Sequence, residues 1–336
     1  MSGTGGWAPR LLDGVHDGEG SGRLAPAAAD LLRQQRADWP LLAAGYQALG
    51  DAQVRPLRIR DSQVFVQHNP GRRGSTTADV AAAAAGERPC FLCPQALPPE
   101  EKGVPFGADL VVLCNPFPVL DRHLSVVHRE HVPQRLAGQT GALLDLAVGL
   151  GPEYFVLYNG PRCGASAPDH LHFQACARLL PVEADAANRP LAPVPGSGGG
   201  WVLLRPEECG RSVIVFRARA RDTLSRWIEA VLAGLPSPDG REPLVNLVCV
   251  ADHDSLGAYL FPRARHRPAA FYAEGDERLV VSPGAIDMAG VVVVPERRDF
   301  ERLDAAGLAA ILQEVTLPGD EAAAAARHVR RSPAVG

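Results

Sequence analysis

The chain has 336 residues, of which 46% are hydrophobic and 21% are charged, and its formal net charge is −4. This composition excludes a mostly disordered chain and argues against a large basic surface for nucleic acid. No apolar run reaches the roughly 18–20 residues that cross a bilayer, and the N-terminus lacks the pattern of a signal peptide. Together with an odd number of cysteines, seven, this predicts reduced thiols, a cytoplasmic location and no membrane partner.

The first half is predicted to alternate helices and strands, since apolar residues recur at helical or alternating spacing. In chain order we expect a frayed leader at 1–25, helices at 26–49 broken at Pro40, strands at 55–70, a helix at 77–86, a proline-rich loop at 88–106, a strand pair at 109–120 and 123–131, a helix at 134–150, and strands at 153–160 and 170–180.

The second half is predicted to repeat the first after a flexible connector at 193–200. The predicted elements are a strand at 212–219, a helix at 222–235, strands at 243–250 and 258–263, a buried strand within 289–303 and a C-terminal helix at 320–331. Asn159 precedes His172 by thirteen residues, and Asn246 precedes Tyr259 by thirteen. We interpret this as a duplication whose second copy has lost its histidines.

The main chemical signal is His170-Leu171-His172-Phe173-Gln174. Alternate residues of a strand share a face, so two imidazoles and a carboxamide line up while Leu171, Phe173 and Ala175 point into the core. The preceding loop, 159–166, has small residues that let backbone N–H groups approach an anion. An anion loop beside histidines predicts phosphoryl or nucleotidyl chemistry, because a neutral imidazole can attack phosphorus. The H-x-H pattern alone is equally compatible with a hydrogen-bonded pair or a simple metal pair.

Two further groups of residues leave alternatives open. Cys90-x-x-Cys93 is a zinc half-site or a pair in a buried turn, whereas its flanking prolines count against a redox pair. Arg72 and Arg73, and the cluster at 263–267 that contains Arg265, are either phosphate ligands or solvated basic turns. Asp287 and Glu296–Arg297 are assigned structural or surface roles.

The motif N-G-x-x-x-G-A-S…H-x-H-x-Q resembles the signature of the histidine-triad superfamily. The similarity is to the branch of galactose-1-phosphate uridylyltransferase and diadenosine tetraphosphate phosphorylase, in which glutamine replaces the third histidine. Residues 64–75 with Cys90-Phe91-Leu92-Cys93 resemble an uncharacterised bacterial family related to GDP-L-galactose phosphorylase. Residues 282–290 resemble the C-terminal part of those phosphorylases, so the similarity spans roughly 55–315.

The resemblance implies an α+β fold, namely a duplicated, histidine-triad-like antiparallel half-barrel with flanking helices. We therefore expect a leader and N-terminal helices at 1–50, a catalytic half at 51–190, a Gly/Pro-rich loop at 191–202, and a second, degenerate half with the C-terminal helix at 203–336.

It also implies roles for single residues. In the catalytic motif His172 would be the nucleophile, Gln174 would bind the α-phosphate or the leaving oxygen, and His170 lies beside them. Ser166 and the amides around Gly164 would hold phosphate oxygens. Asn159 would position the loop or the phosphate, and Asn115 and Phe117 would hold the nucleoside.

A structural zinc ion is implied at Cys90, Cys93, His131 and His170, with His128 as the alternative to His131. Four protein ligands would leave no open position on the metal. Asp169 departs from the uridylyltransferase pattern and leaves the geometry of the loop open.

The implied activity is nucleotidyl transfer through a nucleotidyl-histidine. We expect phosphorolysis of a nucleoside diphosphate sugar or a dinucleoside polyphosphate by inorganic phosphate, with no organic cofactor and no nucleic-acid partner. The alternatives are a hexose-1-phosphate nucleotidylyltransferase, a zinc-dependent nucleotide hydrolase and a non-catalytic nucleotide-binding protein. The nucleobase, the sugar and the assembly, including a homodimer, stay open.

Overall fold

The computed structural model describes residues 6–12, 23–77, 89–237 and 240–331. Most of the predicted leader lies outside these ranges, as does the helix predicted at 77–86 except for its first residue. Within the described ranges, no helix combines the length and the apolar character needed to cross a membrane.

The described residues form strands, helices and short 3₁₀ turns. The strands are β1 (Gln53–Ile59), β2 (Ser62–His68), β3 (Gly103–Phe106), β4 (Leu110–Cys114), β5 (Leu124–His128), β6 (Tyr154–Asn159), β7 (His172–Ala177), β8 (Ala192–Val194), β9 (Gly199–Leu204), β10 (Val213–Ala218), β11 (Val245–Ala251), β12 (Leu256–Pro262) and β13 (Val291–Val294). The helices are α1 (Leu24–Asp38), α2 (Pro40–Gly50), α3 (Arg73–Thr76), α4 (Thr140–Leu150), α5 (Pro181–Ala187), α6 (Pro206–Cys209), α7 (Arg221–Gly234), α8 (Ala269–Tyr272), α9 (Ala285–Met288), α10 (Arg297–Arg302), α11 (Ala305–Val315) and α12 (Gly319–Ala326).

A ten-stranded antiparallel sheet spans both halves of the chain, in the order β3-β4-β5-β7-β6-β11-β12-β10-β9-β8. The order of elements repeats, because β3, β4, β5, α4, β6 and β7 have counterparts in β8, β9, β10, α7, β11 and β12. The two repeats meet at β6 and β11, where Asn159 is directly opposite Asn246. This arrangement confirms the predicted fold class, a duplicated antiparallel half-barrel with flanking helices.

The equal thirteen-residue spacing that suggested the duplication is not a structural equivalence. Asn159 is the last residue of β6, whereas Asn246 is the second residue of β11. Tyr259 pairs with Val248 in the middle of its strand, while His172 begins β7. The repeat therefore lies in the order of strands and helices and not in this pair of spacings.

The two largest apolar cores of the described residues lie on opposite faces of the large sheet. The first core packs α1, α2, α4 and α7 on one face and includes the predicted inward residues Leu171, Phe173 and Ala175. On the other face, β1, β2 and β13 form a three-stranded sheet that packs with α9, α10 and α11. Cys176 belongs to this second core, so the alternate residues His172 and Gln174 face the smaller sheet.

Two segments predicted as loops contain edge strands. The connector placed at 191–202 forms the hairpin of β8 and β9, and the proline-rich segment at 88–106 ends in β3. Pro105 and Pro193 lie in these strands, which are the two ends of the ten-stranded sheet. An edge strand tolerates proline because one side of its backbone needs no ladder hydrogen bond. Proline density alone therefore gave the wrong prediction for the residues of these strands.

The packing of α2 yields a stability prediction. A Cβ atom added to Gly45 would lie 2.1 Å from the carbonyl oxygen of Pro116, whereas a Cβ at Gly50 meets nothing within 4 Å. We expect Gly45→Ala to lower the free energy of unfolding by about 1–3 kcal/mol through overpacking. Gly50→Ala, the control, should leave it unchanged or raise it by up to about 1 kcal/mol. Urea unfolding followed by circular dichroism measures both, and equal stability of the two variants would contradict the packing.

Candidate active site

His172 is a buried imidazole with one nitrogen engaged and one without a partner. Its side chain is at the start of β7 and 3% exposed, and Nδ1 lies 2.9 Å from the carbonyl oxygen of His170. Because a carbonyl only accepts, Nδ1 carries the proton and Nε2 carries a lone pair. Nε2 is buried and has no hydrogen-bond partner among the described residues. Burial lowers the pKa of this imidazole, so the neutral, nucleophilic form is favoured.

Gln174 is held in one orientation by His123, which is fully buried. The N–H of Val119 donates to Nδ1 of His123 at 3.1 Å, so the proton of the neutral ring is on Nε2. Burial lowers the pKa of His123 to about 3, which keeps the ring neutral. Nε2 donates to Oε1 of Gln174 at 2.8 Å. With its oxygen engaged, Gln174 presents its amide N–H groups to the cleft that it lines.

The loop between β6 and β7 packs tightly against the segment before α9. Gly164 has φ +102°, and a Cβ there would lie 3.2 Å from Cα of Gly284. A Cβ on Gly284 would in turn lie 3.2 Å from Oδ1 of Asn159. The positive φ favours glycine at position 164, and a side chain at position 284 would press on Asn159. The close contact of the two segments forms one wall of the cleft.

Asn159 is oriented by donors from the second half of the chain. Its Oδ1 accepts from the N–H of Ala285 and from Nδ2 of Asn246, both at 2.8 Å. Arg263, 3% exposed, donates to Oδ1 of Asn246 and, at 2.9 Å, to the carbonyl of Pro283. Arg263, a member of the predicted basic cluster, therefore links a strand and a loop by buried hydrogen bonds.

The cleft between the two sheets is lined mainly by polar groups. Its lining includes Arg72, Thr76, Asn159, Gly164, Ser166, Gln174, His266, Arg267, Ser282 and Asp287. Arg267 donates to Oγ of Ser282 and to the carbonyl of Thr76, both at 2.9 Å, and its guanidinium lies 4.2 Å from the ring centroid of Phe271. Arginine forks and amide N–H groups on facing walls suit an anion with several oxygens.

Four predicted substrate-binding residues lie outside this lining. Arg265 forms an exposed ion pair with Glu314 at 2.8 Å, and Arg73 forms one with Glu296 at 2.9 Å. Asn115 and Phe117 share a turn in which Oδ1 of Asn115 accepts from the N–H of Phe117 at 2.9 Å. That turn borders the cleft, since Nη1 of Arg72 donates to the carbonyl of Phe117 at 2.7 Å.

The four predicted metal ligands come together in one cluster. The donor atoms of Cys90, Cys93, His131 and His170 all lie within 4.8 Å of one another. Sγ of Cys90 is 3.3 Å from Nδ1 of His170, and Sγ of Cys93 is 3.2 Å from Nδ1 of His131. Two thiols and two imidazoles at this spacing can hold a metal ion.

The surroundings of the cluster fit a metal as well. Nε2 of His170 donates to the carbonyl of His128 at 2.8 Å, which leaves Nδ1 free to bind a metal. Nε2 of His131 lies 3.6 Å from Oδ2 of Asp169, the acidic residue that departs from the uridylyltransferase pattern. The imidazole of His128 is instead engaged with the backbone of Glu130. Of the two predicted histidines, the structure therefore brings His131 and not His128 to the cluster.

Sequence reasoning missed His123 and Gln134. It included His266 and Arg267 in the basic cluster at 263–267, but it selected Arg265 from this cluster as the substrate ligand. His123 begins a β-branched strand and belongs to no motif that we assigned. Gln134 was placed at the start of a predicted helix, which in fact begins at Thr140. Their hydrogen bonds identify them, and these include partners distant in sequence, such as Gln174 for His123 and Asn159 for Gln134.

Comparisons with known proteins agree with this fold. The family model for a domain of unknown function (DUF4922) matches residues 31–177, which extend from α1 to the end of β7. No curated protein sequence matches the chain.

Among solved structures, that of yeast Ap4A phosphorylase Apa2 in complex with AMP covers 86% of this chain and 97% of its own, with a TM-score of 0.57 and 18% identity. Apa2 in complex with Ap4A covers 86% and 98%, with a TM-score of 0.53 and 14% identity. At these identities the likeness is one of fold, and it confirms the predicted resemblance at that level.

Proposed function

We propose that the protein is a nucleotidyltransferase that moves a nucleoside monophosphate to inorganic phosphate through a covalent intermediate on His172. The donor is a dinucleoside polyphosphate or a nucleoside diphosphate sugar. The observation that carries the proposal is the buried, unpartnered Nε2 of His172, on the same strand face as the cleft-lining amide of Gln174. The fold shared with a yeast enzyme named for its action on Ap4A supports the choice of donors.

In the first step, the lone pair of Nε2 forms a P–N bond to the α-phosphorus of the donor. The bond from this phosphorus to the bridging oxygen breaks, and the leaving group keeps the electron pair. The ring becomes cationic, and the carbonyl of His170 stabilises it through the bond from Nδ1. The N–H groups of Gln174 and the loop at Gly164 and Ser166 bind the phosphate oxygens as charge develops.

In the second step, an oxygen of inorganic phosphate attacks the same phosphorus and the P–N bond breaks. Neutral His172 is regenerated and a nucleoside diphosphate leaves. With Ap4A as donor the products are ATP and ADP, and with a nucleoside diphosphate sugar they are the sugar phosphate and a nucleoside diphosphate. Arg72 and Arg267 line the cleft and supply positive charge for the attacking phosphate.

The covalent step can be tested by labelling. The protein is incubated with donors that carry radioactive α-phosphate, and protein-bound label is measured after denaturation. We expect acid-labile label on the wild type, its release by inorganic phosphate, and a loss of turnover of about 10⁴-fold in His172→Ala. The control is His253→Ala, in an exposed residue next to the β11–β12 turn, which should be labelled normally.

Other outcomes separate the alternatives. Label released by a hexose 1-phosphate but not by phosphate would indicate the nucleotidylyltransferase reaction. Hydrolysis without protein-bound label, abolished by chelation, would indicate a metal-dependent hydrolase. Tight nucleotide binding without label or turnover would contradict the enzymatic proposal.

The positions of two arginines generate a second prediction. Arg267 lines the cleft, whereas Arg265 pairs with Glu314 on the surface. We expect Arg267→Ala to raise the KM for phosphate about tenfold or more, since a charge-assisted contact is lost. Arg265→Ala should leave the KM within about twofold, because an exposed ion pair contributes little. Steady-state kinetics with varied phosphate measures both, and a larger effect at Arg265 would refute the assignment.

We also propose that Cys90, Cys93, His131 and His170 hold a structural zinc ion. Two thiolates and two neutral imidazoles form a zinc ligand set that leaves no position for substrate. Bound zinc would fix the backbone at His170, whose carbonyl orients the ring of His172. The ion thereby supports the site without contacting the reacting atoms.

Metal analysis of purified variants tests this proposal. The wild type should contain about one zinc ion per chain, and His131→Ala should contain much less, since a ligand is removed. His128→Ala is the matched control and should retain the metal. Asp169→Asn should weaken zinc binding by about 10–100-fold, as loss of a carboxylate partner of a ligating histidine does elsewhere. Wild-type protein with far less than one equivalent would refute the site.

A further inference from the structure

The side chain of Gln134 lies between β6 and β7 at the point where their pairing stops. The last paired residues are Leu157 and Gln174, so Asn159 and His172 would be the next pair of this kind along the ladder. Instead, Nε2 of Gln134 donates to the carbonyl oxygens of Asn159 at 2.9 Å and His172 at 3.0 Å. Its Oε1 accepts from the backbone N–H of His172 at 2.8 Å.

One buried amide thus takes the place of a backbone pair. Gln134 is 3% exposed and uses both its donor hydrogens and its acceptor on the two strand ends. The ends of the two strands are bridged by this side chain and not by backbone pairing, and the loop from 160 to 171 connects these ends. The side chain of Gln134 therefore holds both the start of the loop and the backbone of His172.

We propose that Gln134 is a positioning residue that fixes Nε2 of His172 relative to the loop that carries Gly164 and Ser166. This inference rests on the proposed function, because it concerns the attack of Nε2 on a phosphorus held by that loop. Such attack requires the reacting atoms about 3–3.5 Å apart and aligned, and a displacement of 1 Å costs about 100-fold in rate. Gln134 touches none of the reacting atoms and acts through the backbone of His172.

The chain offers a matched control in Gln35. Its Nε2 donates to the carbonyl of Glu100 at 3.0 Å, and its Oε1 accepts from the N–H of Lys102 at 2.8 Å. It is 2% exposed and likewise bridges backbone groups of a distant segment, but those groups belong to Glu100 and Lys102 and not to the backbone of His172. Loss of its amide should cost stability without moving the nucleophile.

The experiment compares Gln134→Met with Gln35→Met in the full chain. Both changes keep the volume and remove the amide. Thermal unfolding reports the loss of stability, and calorimetry reports the binding of AMP. Rapid-quench labelling reports the rate constant for nucleotidylation, and it uses whichever donor with radioactive α-phosphate, Ap4A or a nucleoside diphosphate sugar, labels the wild type. Gln134→Glu is the second variant, since it keeps the acceptor for the N–H of His172 and loses both donors.

We expect Gln134→Met to lower the nucleotidylation rate constant about 100-fold while the Kd of AMP changes by about threefold or less. Gln134→Glu should lower the rate as well, and Gln35→Met should keep the wild-type rate despite a similar loss of stability. Exchange of the His172 amide hydrogen, followed by mass spectrometry, should accelerate in Gln134→Met only.

Three results would overturn the inference. In the first, folded Gln134 variants are labelled at the wild-type rate. In the second, Gln35→Met loses as much rate as Gln134→Met, which would reduce both to a general effect of stability. In the third, the wild type is never labelled by any donor. This last result refutes the proposed function and the inference with it, whereas the first two refute the inference alone.

Discussion

The hydrogen bond from Nδ1 of His172 to the carbonyl of His170 governs the rest of the site. It engages the single N–H proton of the neutral ring and leaves Nε2 as a buried lone pair. A buried polar atom without a partner costs free energy, typically about 1–3 kcal/mol. Hydrogen bonds around the ring offset this cost, since the backbone N–H of His172 and the side-chain oxygen Oε1 of Gln174 are both engaged.

The two amides of the cleft follow a common design. His123 engages the oxygen of Gln174, and Asn246 with Ala285 engages the oxygen of Asn159. In both cases the acceptor end is tied to buried donors, so the donor end of the amide is left for a ligand. Amide N–H groups held in this way suit an anion without placing a full charge at each contact. It also explains why the second repeat, which has no H-x-H motif, contributes to the site of the first.

The parts of the site that sequence predicted are those that depend on local spacing. The alternation in His170-Leu171-His172-Phe173-Gln174 predicted on which face of the strand each side chain lies. The fold class and the cluster of four candidate metal ligands were predicted from the resemblance to a known family. The arginines could not be sorted in this way, because Arg265 and Arg267 alternate on one loop and differ only in their neighbours, Glu314 and Ser282. Gln134 and His123 act through partners that are distant in sequence or lie in another strand, which no local pattern encodes. The edge strands were missed because proline disfavours interior strands but is compatible with an edge.

Those edge strands also determine how the large sheet ends. A ten-stranded antiparallel sheet that is not closed has two free borders, and each exposes backbone groups that another chain can pair with. Here the borders are β3 and β8, which are only four and three residues long and contain Pro105 and Pro193. At β3, the carbonyl of Gly103 already accepts the N–H of Leu12 from the N-terminal segment. Growth of the sheet from one molecule into the next is therefore blocked at both borders, which protects so wide a sheet from edge-to-edge aggregation.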